Sequence, residues 1–322
     1  MHALRLTTPK QPVEYVTTDK PEPQDDYTLV KVAAAALNHR DVYITQGLYP
    51  GVEAPVTLGS DGVGTTPDGK RVLIDPGMEW GDNEAYQSDE YHILGMPTDG
   101  TFAEYVKVPT AQLHPVPPHL SDTEAAALPL AGATAYRAVF TKCGLQSGER
   151  VLISGIGGGV ALMAFQLALA AGAEVWVTSG SDAKLDRARE LGASGGANYR
   201  HDDWYKTLLK ATGGFDVIID SAGGDGFAHF AKLAKPGARI AFYGGTQGKI
   251  NGLSPQLLFW RQVSIYGTTM GSPSDFDAML DFVTRHEVTP VVDEVYPLSE
   301  GMAAFDRMAA GDQFGKIVLQ VG

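Results

Sequence analysis

Cysteine is almost missing from this chain: Cys143 is the only one in 322 residues. That excludes an intrachain disulfide and any Cys-rich zinc knot, and it fits a reducing cytoplasm. Positive charge is also scarce, with 25 Lys and Arg against 38 Asp and Glu, a formal net charge of −13. Such a chain would be repelled by a phosphate backbone, so nucleic acid is not expected as a partner. Biased tracts and internal repeats are absent, and the opening MHALRLTTPK lacks the apolar h-region of a secretory signal. A cytoplasmic, soluble globular protein is expected. Apolar residues make up 44%, and the length suits two domains with a large core.

One long uncharged run stands out, the 23 residues from Val151 to Ala173. Its length would allow a membrane span. Gly155, Gly157, Gly158 and Gly159 fall near its start, where they would break a spanning helix but suit a tight turn, so no membrane association is expected. Val151 to Ser154 reads as a strand buried on both faces, Val160 to Ala171 as a helix, and Glu174 to Thr178 as the next strand. FDVIID (215–220), RIAFY (239–243) and VSIYG (263–267) continue the strands, separated by helical segments such as Ser181 to Leu191 and Gly226 to Leu233. The alternation predicts an α/β fold, a Rossmann-type doubly wound parallel sheet.

The turn Gly155-x-x-Gly158-x-x-Ala161 leads from a strand into a helix, a setting in which backbone N–H groups meet a pyrophosphate at the helix N-terminus. Gly157, Gly159 and Val160 belong to the same cradle, although a turn of this kind also serves close packing alone. The second strand ends Val177-Thr178-Ser179-Gly180-Ser181, with no carboxylate before Asp182. NAD enzymes commonly place an acidic residue there for the ribose hydroxyl, and it would repel the 2′-phosphate of NADP. Ser179, Ser181, Lys184, Arg187 and the later Tyr199-Arg200 instead suit a phosphate dianion, so NADPH is the expected cofactor. Ser181 can equally cap a helix whose solvated face carries Lys184, Arg187 and Arg189.

Further blocks follow one another along almost the whole chain: AALNHRDVYITQGLYP (35–50), LGSDGVG (58–64), GTFAEY (100–105), AALPLAGATAY (126–136) and FGKIVL (314–319). In this order they resemble the medium-chain dehydrogenase/reductase superfamily, most closely its zinc-free quinone oxidoreductase and enoyl reductase branch. The resemblance implies a GroES-like, mainly antiparallel, barrel-like catalytic domain over 1–120 plus 272–322, with the Rossmann domain, 121–271, inserted. Pro115, Pro117 and Pro118 form a boundary before the helical SDTEAAAL, whose Ser121 and Glu124 have capping-box spacing. The resemblance also implies that Lys184 and Tyr199 contact the 2′-phosphate. It places Thr134, Gly244, Thr269 and Lys316 among the cofactor-binding residues.

Zinc-using members of the superfamily hold a catalytic metal with a Cys, a His-Glu pair and a second Cys. Here Asn38 stands at the first position, Ser60-Asp61 at the pair and Leu130 near the last. The four-Cys lobe is reduced to a cysteine-free loop (75–95). Zinc favours Cys, His and carboxylate ligands, so no metal is expected. Asp41 is read as a turn residue bonding backbone, and His39 as packing or facing solvent. Without Lewis acid, a simple carbonyl lacks strong polarisation, whereas an enone or quinone spreads the arriving charge and is served by hydrogen-bond donors. Asn38, Tyr43 and Tyr49 are the candidate donors. Asn38 could instead bond the cofactor ribose or backbone, and both tyrosines could simply pack. No obligatory general acid is evident.

Phe259, Trp260 and Met270 are candidates for an apolar pocket wall. Trp260 to Thr268 reads as the last strand of the nucleotide sheet, and the resemblance suggests that this edge pairs with a second subunit in a homodimer. The expected function is NADPH-dependent hydride transfer to a quinone or α,β-unsaturated carbonyl compound. The alternatives are a zinc-free alcohol or aldehyde dehydrogenase and a non-catalytic NADPH-binding redox sensor.

Overall fold

A computed structural model describes residues 1–321. The chain divides into two compact units, 1–131 with 272–322, and 132–271. The first is therefore built from both ends of the sequence. Residues 121–131, assigned by sequence to the nucleotide-binding domain, fall with the first unit instead. The reason is local: the helix Asp122–Ala126 packs on strands Tyr27–Ala36 and Asp61–Thr65, and the Leu130 N–H donates to the Asp61 carboxylate at 2.8 Å. Ser121 caps that helix reciprocally with Glu124, as the spacing predicts.

The first unit centres on a seven-stranded sheet in the order 113–115, 71–74, 61–65, 27–36, 316–320, 292–297, with 105–109 paired to the same long strand 27–36. All pairings are antiparallel except 292–297 with 316–320. Strand Tyr27–Ala36 is the axis. Its first half pairs with Tyr105–Pro109, and its apolar end, Ala34–Ala36, pairs with Lys316–Gln320 on that side. The other side runs against Asp61–Thr65, with a register shift at Val32/Ala34. An irregularity of this kind bends a strand and lets one strand serve two partners. The core beneath is aliphatic, with Phe102 and Phe305 meeting edge to face at 6.1 Å. The loop 75–95 pairs with itself through the short strands Gly77–Met78 and His92–Ile93.

The second unit carries six parallel strands in the spatial order 195–198, 174–179, 150–153, 215–220, 234–242, 264–267. Numbered along the chain, that is 3-2-1-4-5-6, so the winding reverses beside Arg150–Ile153. Ligands of open α/β sheets bind outside the carboxyl ends of the strands at this reversal. The helix after the glycine turn runs Gly159–Ala170, and its Ala161, Ala164 and Ala168 are buried against the sheet. One expected element differs. Trp260 belongs to the helix Pro255–Arg261, and the last strand is shorter, Ser264–Gly267. Ser254 accepts from the Leu257 N–H, and Pro255 stands in the first turn, a cap-and-proline signature that starts a helix. Gln262 then turns left-handed at φ 54° to end it. No helix among the described residues is long and apolar enough to cross a membrane.

Candidate active site

In the second unit, the loops at the carboxyl ends of the central strands form a cradle. Gly155 (φ 67°) and Gly157 (φ 126°) hold left-handed conformations that L side chains rarely adopt. Gly158 caps the helix in extended conformation, and a Cβ built on it would meet nothing within 4 Å, so the space before the helix N-terminus is open. That terminus offers unpaired N–H groups and the positive end of the helix dipole, which fits a pyrophosphate. Asp220 ties the neighbouring loops together. Its carboxylate accepts from Ser154 Oγ and from the Gly223 and Ala222 N–H groups, and burial nevertheless raises its pKa. A Cβ on Gly244 would lie 2.4 Å from the Ser221 carbonyl oxygen, so only glycine allows the next loop to pass there. Thr134 is buried with its hydroxyl 3.8 Å from the Met270 sulfur, whereas Thr269 is exposed.

At the end of the second strand, Ser179 Oγ accepts from the Ser181 N–H, and Ser181 Oγ accepts from the Lys184 N–H at the helix start. The first carboxylate, Asp182, is engaged by Asn198 Nδ2 at 2.9 Å. Gly180 is the tight point: a Cβ there would come within 2.9 Å of both Arg200 Nε and the Tyr199 hydroxyl. Its bare backbone lets those two side chains close on the strand end beside Ser179 and Ser181. The capping role of Ser181 and the phosphate reading are thus compatible.

The first unit gathers a second polar cluster. Asn38 caps the helix His39–Thr45, its N–H donating to Asp41 Oδ2 at 2.8 Å. Its side-chain Nδ2 donates to Asp61 Oδ2 at 2.9 Å, and its Oδ1 accepts from Lys316 Nζ at 2.7 Å. Lys316 Nζ also donates to Asp61 Oδ2 at 2.8 Å. Asp61 is fully buried; its charge is tolerated because an ammonium, an amide and the Leu130 N–H surround it. Asp41, also fully buried, is raised to about 6 by desolvation, opposed by the Arg40 guanidinium. Arg40 donates to Ser60 Oγ at 2.7 Å and to the Leu94 carbonyl at 3.0 Å, and lies 5.1 Å over the Tyr49 ring. Tyr49 therefore packs on a cation above the core. Half-buried Tyr43 meets the exposed His39 ring at 6.2 Å.

The positioning of Asp61 has its own cause in glycine. A Cβ on Gly100 would fall 2.0 Å from the Gly59 carbonyl oxygen, and one on Gly95 2.6 Å from the same oxygen. Three glycines thus let the end of the 75–95 loop and the GTFAEY segment cross the LGSDG segment at backbone distance.

Comparison with known proteins agrees with this architecture. Residues 24–118 match the alcohol dehydrogenase GroES-like domain, and residues 159–285 match the zinc-binding dehydrogenase model. A zinc-type alcohol dehydrogenase-like protein, YogA, of Leptosphaeria maculans is 35% identical, over 96% of this chain and 95% of its own. The chain belongs to the medium-chain dehydrogenase/reductase superfamily. Two solved members of that superfamily superpose over the full length of both chains. One, described as an NAD-dependent alcohol dehydrogenase, has TM-score 0.93 and 38% identity. The other, the quinone oxidoreductase from Thermus thermophilus, solved also with NADPH, has TM-score 0.84 and 27% identity. This superfamily member is accordingly an oxidoreductase that binds a nicotinamide dinucleotide, and the glycine cradle fits that group.

The zinc of the family model's description does not fit these residues. Asn38 and Lys316 are not thiolates or imidazoles, and every oxygen of Asp61 is already engaged. Among the described residues no group of three or more His, Cys, Asp or Glu side chains is gathered as for a metal. The structure also places the remaining expected residues. Lys316, expected at the cofactor, donates to Asn38 Oδ1 and Asp61 Oδ2. Phe259 and Trp260, expected in a pocket wall, stand on the short helix 255–261 with 65% and 83% of their surface exposed, whereas Met270 is buried. Arg40, which sequence reading passed over, proves to be the link between Ser60, Asp41 and Tyr49.

Proposed function

We propose that the protein is an NADPH-dependent reductase of quinones or α,β-unsaturated carbonyl compounds that works without a metal. The observation that carries this reading is the Asn38–Asp61–Lys316 cluster: the polar centre of the first unit presents an amide donor in place of a Lewis acid. The bound reduced nicotinamide supplies the hydride, so the protein's part is orientation and charge stabilisation. The glycine turn and helix N-terminus hold the pyrophosphate. Ser179, Ser181, Lys184, Tyr199 and Arg200 receive the 2′-phosphate, with Asp182 turned away toward Asn198. Asn38 Nδ2, with the Tyr43 and Tyr49 hydroxyls, donates to the substrate oxygen on which charge develops. A conjugated acceptor spreads that charge, which is why amide-strength donation suffices. Strand Ser264–Gly267, at the edge of its sheet with half-buried Ile265 and Tyr266, is the surface through which a second copy of the chain adds to the sheet.

A second reading is supported by the 38% identical structure described as an NAD-dependent alcohol dehydrogenase. One experiment separates the two. Chelator-treated protein is titrated with NADPH and NADH, then assayed with a simple quinone, a simple enone and saturated alcohols. Preference for NADPH with turnover of the quinone or enone is the expected result. Turnover of a saturated alcohol with NAD, and none of the conjugated acceptors, would replace it with the second reading.

A further inference from the structure

We infer that Lys316 and Asp61 are positioning residues that lock the Asn38 amide in one of its two orientations, so that the group offered to substrate is an N–H donor; this rests on the reductase reading above. The two ends of an asparagine amide are nearly the same size, and which end faces outward is decided by its neighbours. Here the neighbours leave one choice. The Lys316 ammonium only donates, so the atom 2.7 Å from it must be Oδ1. The Asp61 carboxylate only accepts, so the atom 2.9 Å from it must be Nδ2. A flipped amide would set N–H against ammonium and carbonyl against carboxylate, two repulsive contacts in a buried place.

The rest of the cluster holds the lock still. Lys316 and Asp61 bond one another at 2.8 Å, the other Asp61 oxygen takes the Leu130 N–H, and the Asn38 backbone is held by Asp41. Asp61 has no exposed surface and Lys316 only 3%, whereas Asn38 keeps 8%, so of the three residues it is Asn38 that retains the most access from outside. Nδ2 carries two hydrogens, and one is uncommitted among the described residues. A partner of that hydrogen must be an acceptor, which is the chemistry of a carbonyl or quinone oxygen. Lys316 acts on substrate through Asn38, although 278 residues separate the two in sequence.

The test pairs turnover with an observation of the amide itself. The chain has four asparagines, Asn38, Asn83, Asn198 and Asn251, so selective 15N-asparagine labelling gives few side-chain signals, and N38A assigns one of them. In the intact protein the Asn38 amide protons are expected to be well separated in shift and slow to exchange. In K316M they should converge and exchange faster. With saturating NADPH, K316M should lower kcat on an enone about 10- to 100-fold, the scale of a misplaced positioning group, while NADPH affinity stays unchanged. In an N38A background K316M should add almost nothing, and K316R should restore part of the loss. Equal loss with and without Asn38, or an unaltered amide signal in K316M, would overturn the inference. Should K316M fail to fold, D61N removes the acceptor-only partner and must produce the same amide change, or the inference falls. If the intact protein turns over no quinone or enone, the reductase reading fails, and the amide signals still decide the lock.

Discussion

Replacing Asp75 by asparagine should stabilise the protein at pH 8 far more than at pH 5. The Asp75 carboxyl is almost entirely buried at the end of strand Arg71–Ile74, where one oxygen accepts the Gly77 N–H at 2.9 Å. Burial raises its pKa from 3.8 to about 7; the Gly77 N–H opposes this and the Asp277 carboxylate adds to it. The unfolded chain loses this proton near pH 4 and the fold keeps it until near pH 7. Between those values the folded state binds more protons, so stability falls as pH rises, and the loss is complete above the folded pKa. From pH 5 to pH 7 that is about two pH units at about 1.4 kcal/mol each, or about 3 kcal/mol. An asparagine has no such dependence. The stabilisation by D75N should therefore grow by about 3 kcal/mol between pH 5 and pH 8, with other titrating groups, Asp41 included, cancelling in the difference. Urea unfolding of the first unit is read from Trp80, buried 5.2 Å from the Tyr91 ring, in a background where Trp176, Trp204 and Trp260 are phenylalanine. Equal stabilisation at the two pH values would show that Asp75 does not hold its proton, and would refute the reasoning.

Other consequences are equally direct. K184A should raise the KM for NADPH about tenfold, the worth of one hydrogen bond to a charged group, and leave that for NADH within about twofold; equal effects on the two cofactors would remove Lys184 from the 2′-phosphate site. S181D should invert the cofactor preference by setting a carboxylate against the phosphate, as measured by the ratio of kcat/KM for the two cofactors. G100A forces a Cβ to 2.0 Å from a backbone oxygen, so it should cost about 3 kcal/mol or more, or abolish soluble expression; a thermal melt within a degree of the parent would contradict the three-glycine crossing.

What local residue patterns revealed was whatever is encoded within some twenty residues; the first domain drawn from both ends of the chain came instead from the order of the family-like blocks. The glycine turn, its flanking strands and the helix after it have local signatures, and FDVIID is a strand over the same six residues, 215–220. The capping box at Ser121 is equally local. The end of the helix 255–261 differs from the sequence expectation because Trp260 and the strand after it look like one element, although Ser254-Pro255 carries a helix start signal. Its exposed aromatics show why an apolar residue in sequence does not declare which surface it faces. The bonding of the Asn38–Asp61–Lys316 triad was hidden for a different reason, although the resemblance sets Asn38 and Asp61 at positions of one zinc site. The triad's members lie 23, 255 and 278 residues apart, and no periodicity reports a contact made by sheet pairing at that separation. Arg40 has no sequence signal of its own, because the burial that makes it a link is a property of the fold.

The place of strand Lys316–Gln320 inside the first sheet bears on how the protein is made. Asp61 and Asn38 leave the ribosome 255 and 278 residues before the lysine that bonds them. Throughout synthesis of the intervening nucleotide-binding unit, strand Tyr27–Ala36 has an open flank at Ala34–Ala36, and the Asp61 carboxylate lacks its counter-ion. A buried unpaired carboxylate is costly, so burial of Asp61 before Lys316 arrives is disfavoured. The lysine that completes the buried Asn38–Asp61 pair therefore reaches its sheet only after the second unit has been made. The nucleotide-binding unit, continuous in sequence, has no such wait.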